Sequence, residues 1–252
     1  MSPEDCIQAL GLPESTLVDQ RVPKKTLAEH GATTATARRQ VQDGVEELRW
    51  IAALKPSTCG ISPHADTTRE YLEIAVLHLA LRPVGKPAML LPLIHRAIPY
   101  PVVLVSSAAD TAALSLVHKR WSQAEKDRVV VDGDLVALPL DDELPEQHRE
   151  SFLSALALAK QPQATLYDLY QGWLDTILAM RAAALLGDFR LPRDRAHAAA
   201  RDAALRECER LESEMASLRA AAVREKQFAK RAELNLELRR LAEAHASARE
   251  QL

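Results

Sequence analysis

Apolar residues at alternating steps of four and three run through the last quarter of the chain. Ala204, Cys208, Leu211, Met215, Leu218 and Ala222 form one stretch, and Leu234, Leu238, Leu241, His245 and Ala248 continue the pattern further on. No glycine or proline follows Pro192, so the sixty residues from Arg193 to Leu252 read as one long charged helix. Unbroken, it would run roughly 90 Å. A sustained three–four repeat is the signature of a coiled-coil seam, and a lone helix leaves such a seam without a partner. Between the two stretches lie Arg224, Glu225, Lys226, Lys230 and Arg231, where the spacing slips out of phase. That slip marks a stutter or a break.

Upstream the pattern changes to short apolar runs broken by turn residues. Ser2 and Pro3 are placed to open a first helix that Gly11 ends, and a second helical stretch spans about Thr33 to Glu47. Strands are expected over 48–55 and 70–82, the second apolar on both faces and therefore central. Pro87 opens a helix to Ala97 that Pro92 bends, and Val102 to Val105 reads as a strand. Further strands are expected over 112–121 and 129–131, with Asp132-Gly133 turning a hairpin into the apolar run that ends at Leu138. Strand signals stop past Asp141-Asp-Glu143, and helices follow over about 146–160 and 166–186. The expected fold is α+β. A mixed α/β domain spans 1–140, packing helices span 141–191, and a helical arm spans 192–252.

Composition narrows the class. The hydrophobic share of 47% and charged share of 27% exclude global disorder, and a net charge of −3 argues against nucleic-acid binding through overall basicity. Cys6, Cys59 and Cys208 are isolated and suit a reducing compartment. The acidic start lacks the basic and apolar run of a signal peptide, and the most apolar stretch, Leu72 to Leu81, is too short to span a bilayer. A cytoplasmic location is expected.

Few residues carry candidate chemistry. Glu73 lies in the central strand near Asp66 and His78, as a magnesium-holding carboxylate of a nuclease would, yet Ile74 and Ala75 follow it where a carboxylate-x-lysine step would place lysine. An ion-paired strand carboxylate is the plainer reading. His118-Lys119-Arg120 with Trp121 offers contacts for a phosphate backbone and a base, against the alternative of a solvated edge strand. His64 has no second ligand at metal spacing, Ser106-Ser107 lacks a nucleophile elbow, and the glycines are solitary. No cofactor or metal site is expected.

Three segments in order carry a resemblance: Val22-Pro-Lys-Lys25, Ala97-Ile-Pro-Tyr-Pro-Val-Val-Leu-Val105 and Arg224-Glu-Lys-Gln-Phe-Ala-Lys-Arg-Ala-Glu-Leu-Asn235. Together they resemble a bacterial family known as domain of unknown function 4391, over about residues 20–245. Members typically occur beside helicases and DNA methyltransferases in restriction-like, anti-phage clusters. The resemblance therefore implies an accessory subunit of such a system, with no reaction attached. The family pattern often has asparagine where this chain has Ala229.

Phe228, the only aromatic residue of the arm, and Asn235, seven residues on, fall on nearly one helical face. An aromatic anchor beside a register-fixing amide suits a docking site. The expected function is a non-enzymatic adaptor that binds a helicase, a DNA methyltransferase or a second copy of itself. Its expected contact residues are Gln227, Phe228, Leu234, Asn235 and Leu238. Two alternatives stand beside it. One is a divergent nuclease using Glu73; the other is a DNA-binding subunit using Lys119, Arg120, Arg224, Lys230 and Arg231.

Overall fold

The computed structural model describes residues 2–32, 34–108, 111–125, 128–140 and 146–252. Helix α1 (Pro3–Ala9) begins at a capping box in which Ser2 and Asp5 exchange side-chain and backbone hydrogen bonds. Strand β1 (Leu17–Arg21) and helices α2 (Lys24–His30) and α3 (Ala35–Gly44) lead into β2 (Val45–Leu54). The Ser- and Thr-rich segment that follows folds as a single helical turn, α4 (Pro56–Cys59), and a two-residue ladder, β3 (His64–Ala65) with β4 (Glu70–Tyr71). Next come β5 (Ile74–Leu81), α5 (Pro87–Ala97), β6 (Val102–Ala108), β7 (Thr111–Trp121) and β8 (Val129–Pro139). Helix α6 (Glu146–Leu156) and the 21-residue α7 (Leu166–Leu186) follow. The chain finishes with α8 (Arg195–Arg224) and α9 (Phe228–Arg249).

Among the described residues the main sheet has the order β1-β2-β5-β6-β7-β8. Every neighbouring pair is antiparallel except β5 and β6, which α5 joins as a parallel crossover. Strand β5 is buried on both faces over most of its length, as its continuous apolar run predicts. One face packs Ala75, Leu77 and Leu79 against Leu27, Val41 and the apolar stripe of α5. The other face meets α1 and the first half of α7, where Tyr170 and Trp173 are fully buried.

Two sequence expectations fail in this sheet. The Asp132-Gly133 pair is no hairpin turn, because β8 runs straight through it. Three residues of β8 there oppose one of β7, between the pairs Leu116↔Val136 and His118↔Asp132. Gly133 takes φ +80° and absorbs the excess as a bulge. Strand β7 is also not an edge, since β8 covers it. Strand β1 and helix α2 were not anticipated. Strand β1 is short, mostly exposed and bulged at Asp19, where φ is +45°, so it carries no alternating pattern.

The chain divides into two compact units, residues 1–177 and 178–252. The expected boundary at 140/141 opens on residues 141–145, which lie outside the described residues, as does the Asp141-Asp-Glu143 signal. Within the second unit the expected single rod is a helical hairpin. Residues 225–227 reverse the chain, with Glu225 and Gln227 extended and Gln227 N–H donating to Glu225 Oε1 at 2.7 Å. The two apolar stretches of the presumed intermolecular seam then bury each other. Cys208, Leu211 and Met215 pack with Leu241 and Ala248, and His245 Nε2 meets Glu212 Oε1 at 2.9 Å. Burying each such leucine contributes about 2 kcal/mol, so the seam as a whole offsets the helical hydrogen bonds lost at the turn, whose groups water can reach.

Candidate functional site

Reversal at residues 225–227 places the third resemblance segment at the tip of the hairpin. Phe228 is the first residue of α9 and is 79% exposed, while Val223, near the end of α8, is 87% exposed. Both are large apolar side chains that the hairpin seam does not cover. The Arg231 guanidinium lies 5.9 Å from the Phe228 ring centroid, within cation–π range. Arg224, Lys226, Lys230 and Arg231 are all exposed around the turn, against Glu225 and Glu233.

The expected contact set splits. Gln227, Phe228 and Asn235 face solvent, and Leu234 is half-buried. Leu238 instead packs into the hairpin's own seam, so it is a stem residue. Of the expected DNA contacts, Arg224, Lys230 and Arg231 gather at the tip.

Lys119 is a correction. It is 2% exposed, and its Nζ donates to the main-chain oxygens of His95 and Ile98 (2.8 Å to the latter). It closes the C-terminus of α5, where free carbonyls and the helix dipole favour a cation. Burial lowers its pKa to about 8. Strand alternation sends His118 and Arg120 to the opposite face, so the basic run never forms one patch. His95 is buried beside it, with Nε2 on Ser115 Oγ at 3.1 Å. Burial, helped by the Lys119 charge, holds that imidazole down near pKa 3 and hence neutral.

Glu73 lies just before β5 and is largely buried, with Lys55 Nζ 3.2 Å from its Oε2. It is an ion-paired carboxylate at the end of the β2–β5 pair. Among the described residues no group of three or more His, Cys, Asp or Glu side chains converges as metal ligands would.

A second constellation has no counterpart in the sequence reading. Tyr71 of β4 and His118 of β7 share a hydrogen bond of 2.5 Å at Nδ1, and His118 Nε2 lies 3.0 Å from Gln171 Oε1 on α7. Gln171 Nε2 in turn donates to Asp175 Oδ1 at 2.8 Å. The Lys119 backbone N–H donates to the Tyr71 hydroxyl at 3.3 Å, and burial raises the Tyr71 pKa, keeping it neutral. With the Tyr71 hydroxyl donating, His118 carries its proton on Nε2 and the chain of donors runs one way to Asp175. Beside it, Arg69 and Arg120 both reach Asp132, at 3.1 and 3.2 Å. His64 stacks on Tyr167 with ring centroids 5.0 Å apart, and Arg69 Nη1 donates to the Tyr167 hydroxyl at 3.3 Å. These groups join β4, β7, β8 and α7 through side chains. Arg120, expected on DNA, is committed to Asp132 and to the Trp121 main-chain oxygen.

The family model described as "Domain of unknown function (DUF4391)" matches residues 10–244. Comparisons with curated proteins and with solved structures each return no match. No helix among the described residues is long and apolar enough to cross a membrane.

Proposed function

The chain belongs to the DUF4391 family, and from that premise we propose that it is a non-enzymatic accessory subunit whose hairpin tip docks another protein. The observation that carries the reading is the exposure of Val223 and Phe228, the two most exposed large apolar side chains among the described residues, together at the hairpin tip and outside its seam. An aromatic side chain at the end of a stiff two-helix stem presents a pre-ordered anchor at low entropic cost. The surrounding arginines and lysines favour a partner with an acidic rim around an apolar recess. The fitting partner is a helicase or DNA methyltransferase subunit of a restriction-like, anti-phage system acting in the cytoplasm. The like charge of two tips disfavours tip-to-tip pairing of the chain with itself.

The same basic residues support a second reading, direct contact of the tip with DNA. The two readings separate by salt. Protein docking through Phe228 is a loss of desolvated area and changes little with salt; phosphate contacts weaken steeply as salt rises. The test is purification of the native complex from cells carrying either the wild-type chain or Val223→Ser/Phe228→Ser, with the co-purifying subunits identified and DNA binding measured at two salt concentrations. The docking reading expects loss of the helicase or methyltransferase with the hairpin still folded. An unchanged set of subunits in the double variant would overturn it.

A further inference from the structure

Within the second unit, the end of α7, the segment joining it to α8, the first turns of α8 and Leu252 line a half-open cavity of about 570 Å³. That size falls among small-ligand sites, which span roughly 300–1,000 Å³. Its lining has two chemically distinct sides. Ala179 and Ala182 are buried, while Leu186 and Leu191 are about half exposed into it. On the other side stand Arg190, Arg193 and Arg201, against Asp188 as the one carboxylate side chain among the described lining residues.

Arg201 is the built element of this wall. It is 6% exposed, and its guanidinium donates to the main-chain oxygens of Arg190 and of Leu252, the latter at 3.1 Å from Nε. An oxygen acceptor therefore already sits on this guanidinium at the cavity wall. His197 Nδ1 accepts from the Arg193 backbone N–H at 3.2 Å and ties the ring to the start of this wall. Asp188 pairs with Arg190 and offsets one arginine.

We propose that this cavity binds a small amphiphilic anion, an aliphatic chain ending in a carboxylate or phosphate monoester. The headgroup lies against Arg193, where charge-assisted hydrogen bonds to a guanidinium are strong, with the buried Arg201 charge behind it. The hydrocarbon covers Leu186 and Leu191, two leucines that are otherwise left in water. A flexible chain fits better than a nucleobase, because the described lining holds aliphatic groups and no aromatic ring other than the His197 imidazole.

The test is calorimetric titration of the full chain with octanoate and with octyl phosphate, alongside octanol, inorganic phosphate and AMP. One of the two amphiphilic anions is expected to bind saturably at one site. Octanol, inorganic phosphate and AMP should each bind at least tenfold more weakly. The tighter of the two amphiphiles identifies the headgroup. Arg193→Ala and Leu191→Ser both lie at exposed positions that leave the fold intact, and they should weaken binding at least tenfold and fivefold respectively. Three results would overturn the proposal: no saturable binding of either amphiphile up to millimolar concentration, octanol or AMP binding as tightly as the anionic amphiphile, or unchanged affinity in both variants.

Discussion

The hydroxyl of Tyr170 lies where two strands of the sheet part. Strands β6 and β7 are paired from Ala108↔Thr111 to Leu104↔Ser115, and continuing that register would set Val102 opposite Val117. Instead the Tyr170 hydroxyl, reaching from α7, lies between them. It accepts from Val117 N–H at 2.9 Å and lies 2.9 Å from both the Val102 and Val117 main-chain oxygens, either of which its proton can serve. Tyr170 is fully buried, so no solvent reaches these groups, and burial holds its phenol neutral well beyond the ordinary range. Tyr170→Phe keeps the ring and removes one oxygen. It leaves a buried N–H and at least one carbonyl unsatisfied, an outcome worth about 2 kcal/mol. For a chain of this size that lowers Tm by roughly 4–8 °C. Thermal unfolding followed by far-ultraviolet circular dichroism, with urea midpoints at 25 °C as a second reading, decides it. A Tm within 1 °C of wild type and an unmoved urea midpoint would show that the strand ends pair or hydrate without the hydroxyl, refuting the assignment.

Three further outcomes follow from the same geometry. Lys119, with its pKa depressed from 10.5 to about 8, binds fewer protons folded than unfolded between those values, so its contribution to stability is lowest below pH 8 and rises as pH climbs to 10.5. The stability of wild type relative to Lys119→Met should therefore rise by up to about 3 kcal/mol over that window in urea titrations, and a flat difference would remove the buried-charge account. Gly133→Ala meets no atom within 4 Å of the added carbon, so its cost is backbone strain at φ +80° alone, about 1–2 kcal/mol; denaturant midpoints equal to wild type would show that the bulge rearranges. Leu211→Ala, in the hairpin seam, should cost about 2–4 kcal/mol in the same assay, whereas a loss under 1 kcal/mol would mean that the two helices do not bury each other.

The elements most legible in the sequence were those whose pattern is local. Helix α7 ran from Leu166 to Leu186 as its periodicity and Gly187 required, and the doubly apolar run of β5 marked a central strand. The hairpin was less legible, because Glu225-Lys226-Gln227 are ordinary helix residues and only the phase slip of the seam betrayed the turn. Asp132-Gly133 misled for the opposite reason: its turn chemistry is real, but Arg69 and Arg120 hold Asp132 within β8 and the glycine serves a bulge. Lys119 looked solvated beside His118 and Arg120, yet alternation along β7 turned it inward to carbonyls contributed by α5. The Tyr71–His118–Gln171 relay joins three segments far apart in sequence, so no spacing rule could have assembled it. At the tip, Phe228 was legible as the lone aromatic of the region, while Val223 became visible only once the chain folded back.

The most direct measurement is an affinity titration of the purified chain, wild type and Phe228→Ala, against a helicase or DNA methyltransferase subunit that co-purifies with it, at low and moderate salt. Phe228 is 79% exposed, so its removal should leave the thermal unfolding of the free protein unchanged. Docking through Phe228 predicts a loss of about 2 kcal/mol in partner binding, roughly thirtyfold in Kd, of similar size at both salt concentrations. Near-native affinity for Phe228→Ala, or a loss confined to low salt, would contradict docking through the hairpin tip.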